Sequence, residues 1–351
     1  MAKKPTLRDV SQHAGVSIYT VSRALGGGQD VAASTRERIL QVANALGYVP
    51  NRAAQELRKN TRSSVTVLTA STSNAYYLDL MKGVQRVLRP TSRTVVVADI
   101  AAEGRYTRAV EDATVQQLIQ SRTAGVIATL TLSAQNVKLL DDWDIPVVFV
   151  DSAPPAEATQ VPSLTTDNVA ASVRLGRHLA EHRFTSWLFV AYPTLWSTRE
   201  PREQGLREAA AAAGAELHVL ETDNDEASAF DQVRDWFETP GRVPPDVVVA
   251  GNNPLLHGTM RYLREKGIRI PQDIALVAFD EFPWAPLLDP PLTVVNEGSE
   301  AIGVEAATIL SRIIDEQVRA ETEGRPPKPK YLPEDRQVAS ADLIIRASCG
   351  C

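Results

Sequence analysis

In the second half of the chain Arg202 stands at the end of the loop that follows the apolar run 187–191, and two more polar residues, Asn252 and Asp280, lie just past apolar runs that read as strands (247–250 and 275–279). Asp151 stands in the same relation to the run 147–150. In open α/β sheets a ligand sits outside the carboxyl ends of the strands. That rule points to the loops at 71–77, 151, 192–202, 252 and 280. A guanidinium, an amide and carboxylates together offer fixed donors and acceptors, a set that suits the vicinal hydroxyls of a sugar. Tyr76, Tyr77, Trp196 and Trp284 could stack on a sugar ring, or could serve only as packing.

Other chemistry is poorly represented. No Gly-rich phosphate loop, nucleophile elbow or paired-histidine metal motif is found, and the five histidines are scattered, so no catalytic residue and no cofactor is expected. His178 and His182 are four apart and share a helix face, but with no third ligand nearby in sequence they read as a surface pair. Cysteine occurs only as Cys349 and Cys351. Two thiols in a tail predict neither a disulfide framework nor a four-ligand zinc site within one subunit, so no metal is expected.

These residues need a scaffold, and the chain is long enough for two units: 351 residues, 44% hydrophobic and 23% charged. Its net charge of −6 is unevenly placed. Residues 1–63 hold ten Lys or Arg against four Asp or Glu, a net of +6, which leaves −12 for the remainder. A basic head on an acidic body suits a module that binds a polyanion. No run of about 18 apolar residues could span a membrane, and the opening Met1-Ala2-Lys3-Lys4-Pro5 is unlike a signal peptide. A cytoplasmic protein is expected.

The head reads as short helices. Thr6 and Asp9 can cap a helix carrying Leu7, Val10 and Ala14, which Gly15 ends; Ser17 caps a second carrying Val21, Ala24 and Leu25. After the loop Gly26-Gly27-Gly28, Ser34-Thr35-Arg36-Glu37 reads as a capping box for a third helix, closed by Gly47 and Pro50. A fourth is possible over 51–59. From Ser64 onward apolar runs at 65–68, 94–98, 125–128, 147–150, 187–191, 217–220, 247–250 and 275–279 alternate with helical stretches at 80–88, 107–119, 170–182, 202–213 and 255–266. Repeated βα units predict parallel sheets covered by helices. Two sheets are expected, divided near residue 163.

Four blocks in the head sharpen this reading: Thr6-Leu7-Arg8-Asp9-Val10, Ala14-Gly15-Val16-Ser17, Thr20-Val21-Ser22-Arg23 and Gly47-Tyr48-Val49-Pro50-Asn51-Arg52-Ala53-Ala54. Their residues and spacing resemble the lac repressor family, also called the galactose repressor family. The resemblance is specific in the head and extends more loosely to the C-terminus. It implies a small all-α helix-turn-helix domain (1–50), a hinge helix and linker (51–63) and an α/β periplasmic-binding-protein-like sensor (64–351). The sensor's N-subdomain would span 64–162 and 293–322, and its C-subdomain 163–292 and 323–351.

The resemblance also implies roles. Ile18, Tyr19 and Arg23 would read bases, with Thr6, Ser17, Thr20 and Ser22 nearer the phosphates. Arg23 can grip guanine bidentately and Ile18 can meet a thymine methyl, although Ile18 also reads as core and Tyr19 as a backbone contact. Asn51, Arg52, Ala54 and Leu57 belong to the hinge, where Leu57 would wedge into the minor groove. Arg202, Asn252 and Asp280 match effector-binding positions. Asn74-Ala75-Tyr76-Tyr77, Asn224 and Asn253 depart from the family pattern, as does Ala32 where a capping Ser is usual. The tail 343–349 resembles the family's closing strand, and no leucine-heptad helix follows it. The expected protein is a dimeric repressor of a palindromic DNA operator, controlled by a small effector, most simply a carbohydrate. An enzyme or a soluble sugar-binding protein is the alternative.

Overall fold

The computed structural model describes residues 4–26, 28, 30–51, 62–69, 74–91, 93–101 and 106–351. Arg52, Ala54, Leu57 and the loop 70–73 lie outside the described residues. The chain divides into two compact units, residues 1–62 and 63–351.

The first unit packs three helices, α1 (Leu7–Ala14), α2 (Ile18–Leu25) and α3 (Ala33–Ala45). Thr6 and Asp9 form the expected reciprocal cap of α1: the Thr6 amide donates to Asp9 Oδ2 at 2.7 Å, and the Asp9 amide donates to Thr6 Oγ1 at 3.3 Å. Three residues, Gly15 to Ser17, separate α1 from α2, and Ser17 Oγ accepts from the Thr20 amide. Val10, Val21 and Ile39, one from each helix, are fully buried against Ala14, Ala24 and Ala43.

The third helix departs from expectation. It starts at Ala33 with Ala32 in the cap position and no capping side chain, so Ser34 lies inside the first turn. Arg36 supplies the reason. Its guanidinium donates to the Ala24 carbonyl at 2.9 Å and to the Gly28 carbonyl. A tertiary anchor on the end of α2 sets the start of α3 in place of a local cap.

The second unit contains two six-stranded sheets. The first runs β11-β5-β4-β3-β1-β2, with strands β1 (Ser64–Thr69), β2 (Thr94–Asp99), β3 (Gly125–Ala128), β4 (Val147–Val150), β5 (Ser163–Thr166) and β11 (Arg336–Ala339), all parallel. The second runs β12-β10-β9-β8-β6-β7, with β6 (Ser186–Ala191), β7 (Glu216–Glu221), β8 (Val247–Ala250), β9 (Ala275–Phe279), β10 (Thr293–Asn296) and β12 (Asp342–Ile344). Only β12 is antiparallel. Every residue of β3, β4, β8 and β9 is buried, which is why those segments read as unbroken apolar runs.

The subdomain limits need correction. β5 pairs with β4 in the first sheet, so the chain passes to the second sheet after residue 166 and not at 163. β10 belongs to the second sheet, not to the N-subdomain. β11 returns to the first sheet and β12 to the second, so 323–351 is shared. The short β5 and the exposed β11 carry too little apolar pattern to show which sheet they join.

The helix after β10, α11 (Ser299–Glu323), packs on α4 (Ala75–Leu88) of the first subdomain. Here the backbones meet at Gly83 and Gly303. A Cβ on Gly83 would stand 2.1 Å from the Glu300 carbonyl oxygen, and one on Gly303 would stand 2.2 Å from that of Leu80. Neither side can yield without moving a helix. Gly303→Ala is therefore expected to destabilise the second unit by about 1–3 kcal/mol, the usual cost of overpacking, read from urea unfolding. An unchanged midpoint would show that the two helices separate freely.

Candidate functional site

On the head, α2 divides its residues between two faces. Val21 and Ala24 face the core, whereas Ile18 is 43% and Tyr19 69% exposed. Ile18 is thus not a core residue. Together with Ser22 and Arg23 one turn later, these residues form one helical stripe. Arg23 is held rather than loose: its Nε lies 3.0 Å and its Nη2 2.8 Å from Asp30 Oδ1. The hydrogen bond from Arg23 lowers the Asp30 carboxyl below its ordinary pKa. Ser17 and Thr20 share a hydrogen bond of 2.9 Å, and the Thr6 hydroxyl donates to Asp9. Asn51 is exposed.

The cleft of the second unit is built from strand ends. Asp151 follows β4, Tyr192 follows β6, Asp280 follows β9 and Glu297 follows β10. Asn252 caps α10 (Asn253–Glu265), Asn74 caps α4, and Arg202 lies in the first turn of α8 (Arg199–Ala213). Asp151 and Asp280 adopt positive φ, 55° and 70°, a region Asp tolerates better than most residues.

Arg202 is 2% exposed and its donors are largely committed. Nε donates to Asn168 Oδ1 at 2.8 Å, Nη1 to the Gly251 carbonyl at 2.6 Å, and Nη2 to Glu297 Oε1 at 2.5 Å. Asp280 Oδ1 stands 3.6 Å away, and the guanidinium lies 4.3 Å from the centre of the Phe279 ring. One buried cation therefore faces Glu297, Asp280 and, farther off, Asp151. Burial pushes the Asp280 carboxyl up to about 6 against the pull of Arg202. Burial, reinforced by the charge of Glu297, pushes Asp151 well above the usual carboxylate range.

Among the buried polar atoms without a protein partner, Asp151 Oδ1, an acceptor, and Trp196 Nε1, a donor, belong to the cavity lining, while Glu297 Oε2, Asn253 Oδ1 and the Tyr76 hydroxyl belong to residues outside it. Such atoms are rare in folded proteins and cluster where a ligand or water completes the set. The three departures from the family pattern meet here. Asn252 donates to Asn224 at 2.6 Å, Asn253 donates to Asn74 at 3.1 Å, and Asn74 reaches Asp280 at 3.4 Å. An aspartate at 253 could not donate to Asn74.

Of the residues singled out from sequence, Tyr77, Asp151, Trp196, Arg202, Asn252 and Asp280 line one cavity. Tyr76 is buried beside Tyr77, edge to face at 5.4 Å, outside the cavity wall. Trp284 is not brought in; it is 40% exposed and packs on Phe282. Glu297 went unread because β10 before it is not among the apolar runs that read as strands, and Tyr192 entered only as the first residue of the loop 192–202.

The reading of the histidines and the cysteines as separate pairs needs correction. The histidine pair on α7 (Asn168–Glu181) and its C-cap, and the cysteine pair of the tail, are not separate: the ligand atoms of His178, His182, Cys349 and Cys351 lie within 4.8 Å of one another. The fold closes a gap of about 170 residues that no spacing motif could signal.

Comparison with known proteins agrees with this architecture. Residues 6–51 match the model of bacterial regulatory proteins of the lacI family, and residues 62–333 match that of periplasmic binding proteins and the sugar binding domain of the LacI family. The transcriptional regulator CelR of Thermobifida fusca is 29% identical over 317 residues, covering 88% of this chain and 91% of its own. A LacI family regulator from Silicibacter pomeroyi superposes with a TM-score of 0.78 at 25% identity, covering 98% of this chain and 99% of its own. The lac repressor dimer bound to operator and the anti-inducer ONPF superposes with a TM-score of 0.74 at 24% identity, covering 99% of each chain. Among the described residues no helix is long and apolar enough to cross a membrane. With a helix-turn-helix head and a sugar-binding-type sensor matched over most of its length, the chain belongs to the LacI family of transcription regulators and is not an enzyme.

Proposed function

We propose that this regulator is a repressor that binds a palindromic operator as a dimer and responds to a carbohydrate, or a polyhydroxylated derivative, held in the sensor cleft. The observation that carries the effector class is the cavity wall itself, where an acceptor, Asp151 Oδ1, and a donor, Trp196 Nε1, are buried without a partner in a lining shared with Arg202, Asn252 and Asp280. A ligand bearing several hydroxyls satisfies both kinds at once, since each hydroxyl donates and accepts. The regulator seen with operator as a dimer, and the shared head, support the DNA side of the reading.

In this reading residues 1–50 bind the major groove, 51–63 form the hinge with Arg52, Ala54 and Leu57 at the minor groove, and 64–351 form the sensor. Ile18, Tyr19 and Arg23 read bases, while Thr6, Ser17, Thr20, Ser22 and Asn51 secure the backbone. Arg23 must exchange Asp30 for guanine. Arg23→Ala is expected to lose about 1–3 kcal/mol of discrimination at one base pair per half-site. Asp30→Asn, which releases the guanidinium and removes a negative charge from the DNA face, is expected to tighten operator binding. Both are read by titration against operator and single-base variants at fixed salt. An unchanged sequence preference in Arg23→Ala would remove it from base reading.

Asp151 gives the cleaner test of the cleft, because Arg202→Ala would leave Glu297 buried without its cation, a loss that typically costs 3–5 kcal/mol. Asp151→Asn is expected to weaken effector binding at least tenfold and to leave effector-free operator affinity within a few fold. Calorimetry against a sugar panel and operator titration measure the two.

The same substitution has a pH signature. Asp151 titrates above its unfolded value of about 3.9, so the folded state binds more protons between the two values and stability falls as pH rises through that window. Asparagine, which tolerates positive φ, removes that loss. Asp151→Asn is therefore expected to raise the thermal midpoint of the effector-free protein at pH 7.5, with the advantage shrinking toward pH 4. An advantage independent of pH would show that the carboxylate carries no such strain.

A further inference from the structure

The structure assigns the cluster His178, His182, Cys349 and Cys351 as a tetrahedral Cys2His2 site for Zn2+, outside the effector cleft. Four features of the fold converge on it. The two imidazoles lie one turn apart on α7 and its C-cap, with ring centres 4.8 Å apart. Cys349 and Cys351 flank Gly350, whose φ of +90° turns the chain so that both sulfurs point the same way, 3.1 Å apart. A residue with a side chain would be strained at that φ. His178 Nε2 lies 3.3 Å from Cys349 Sγ and 3.7 Å from Cys351 Sγ, and His182 Nε2 lies 3.1 Å from Cys351 Sγ.

These separations, from 3.1 Å up to 4.8 Å across the four ligand atoms, bracket the edges of a coordination tetrahedron. Zn–S bonds near 2.3 Å and Zn–N bonds near 2.0–2.1 Å place neighbouring ligand atoms roughly 3.3–3.8 Å apart. Small outward movements of the sulfurs accommodate the ion. Two thiolates and two imidazoles are one of the ligand sets of closed structural zinc sites.

The surroundings suit ligation. Glu181 Oε2 lies 3.9 Å from His178 Nδ1, beyond hydrogen-bond distance but on the side from which an outer carboxylate can orient a ligating imidazole. Thr293 Oγ1 lies 3.1 Å from Cys349 Sγ and donates to the Arg346 carbonyl at 2.8 Å, which fixes the tail beside the sulfur. Cys349 and His178 are buried, while Cys351 is exposed, so the site is closed on the protein side and open to entering ions. The ion would tie residues 346–351 to α7 and to the start of β10, onto which Arg346 and Ser348 are already hydrogen-bonded.

The test uses the full chain, tag-free and kept reduced. Zinc measured by mass spectrometry in protein purified without chelator is expected at about one equivalent per chain. Co2+ added to the metal-stripped chain is expected to give the visible ligand-field bands of thiolate-bound tetrahedral cobalt, which Zn2+ then bleaches. Cys351→Ser and His182→Gln alter the less buried ligands and should leave the fold intact by circular dichroism. Each is expected to weaken metal binding by more than the roughly 10–100-fold that loss of an outer-shell partner costs, and to abolish the Zn2+-dependent rise in thermal midpoint. Three results would overturn the assignment: no cobalt bands in the reduced wild type, metal affinity unchanged in both variants, or a Cys349–Cys351 disulfide that persists under reductant.

Discussion

A guanidinium buried to 2% exposure is the constraint on which the sensor unit depends. Removing such a charge from water costs several kcal/mol unless every donor is met and opposite charge stands close by. Arg202 meets both conditions through groups from four elements: Asn168 at the start of α7, the Gly251 carbonyl after β8, Asp280 after β9 and Glu297 after β10. Strand ends that would otherwise be independent loops are thereby fixed to one point. Burial in the same space, with the charge of Glu297 adding to it, pushes the Asp151 and Asp280 carboxyls up. Stability of the second subdomain and the polar character of the cleft have one origin.

That centre reaches the other subdomain through asparagine. Asn74, at the head of α4, accepts from Asn253 and donates to Asp280. Neutral amides can both donate and accept, so they join the two halves without adding charge to a site already overloaded with it. Asn253 and Asn74 are thus joined to each other and to Asp280, while Asn224 pairs separately with Asn252.

The legibility of this architecture in sequence follows apolar content rather than burial alone. Central strands such as β3 and β8 are wholly inside, and the edge strands β2 and β7, though none of their residues is buried, still carry the Val and Leu by which they are read. Missed were the short β5 and β10 and the exposed edge strand β11, in which no periodic apolar signal survives. In the head, local capping rules succeeded at Thr6 and Ser17 but failed at Ser34, where Arg36 made a tertiary bond the deciding one. In the cleft, Asp151, Asn252 and Asp280 were legible because each directly follows a readable strand. Glu297 was not, because its strand was unread.

The histidine and cysteine pairs show a different limit. Each pair alone is chemically bland: an i, i+4 histidine pair is common on helix surfaces, and two thiols cannot complete a coordination shell. Their meaning comes only from β10, which carries the tail on one side and ends at the Arg202 network on the other. Thr293 at its start touches Cys349, and Glu297 just beyond its end holds Arg202. Four residues of strand span about 13 Å, so an ordered tail and the buried guanidinium brace the same strand from opposite ends. A segment fixed at both ends cannot shift at one without loading the other, and the tail is therefore part of the frame that holds the cleft.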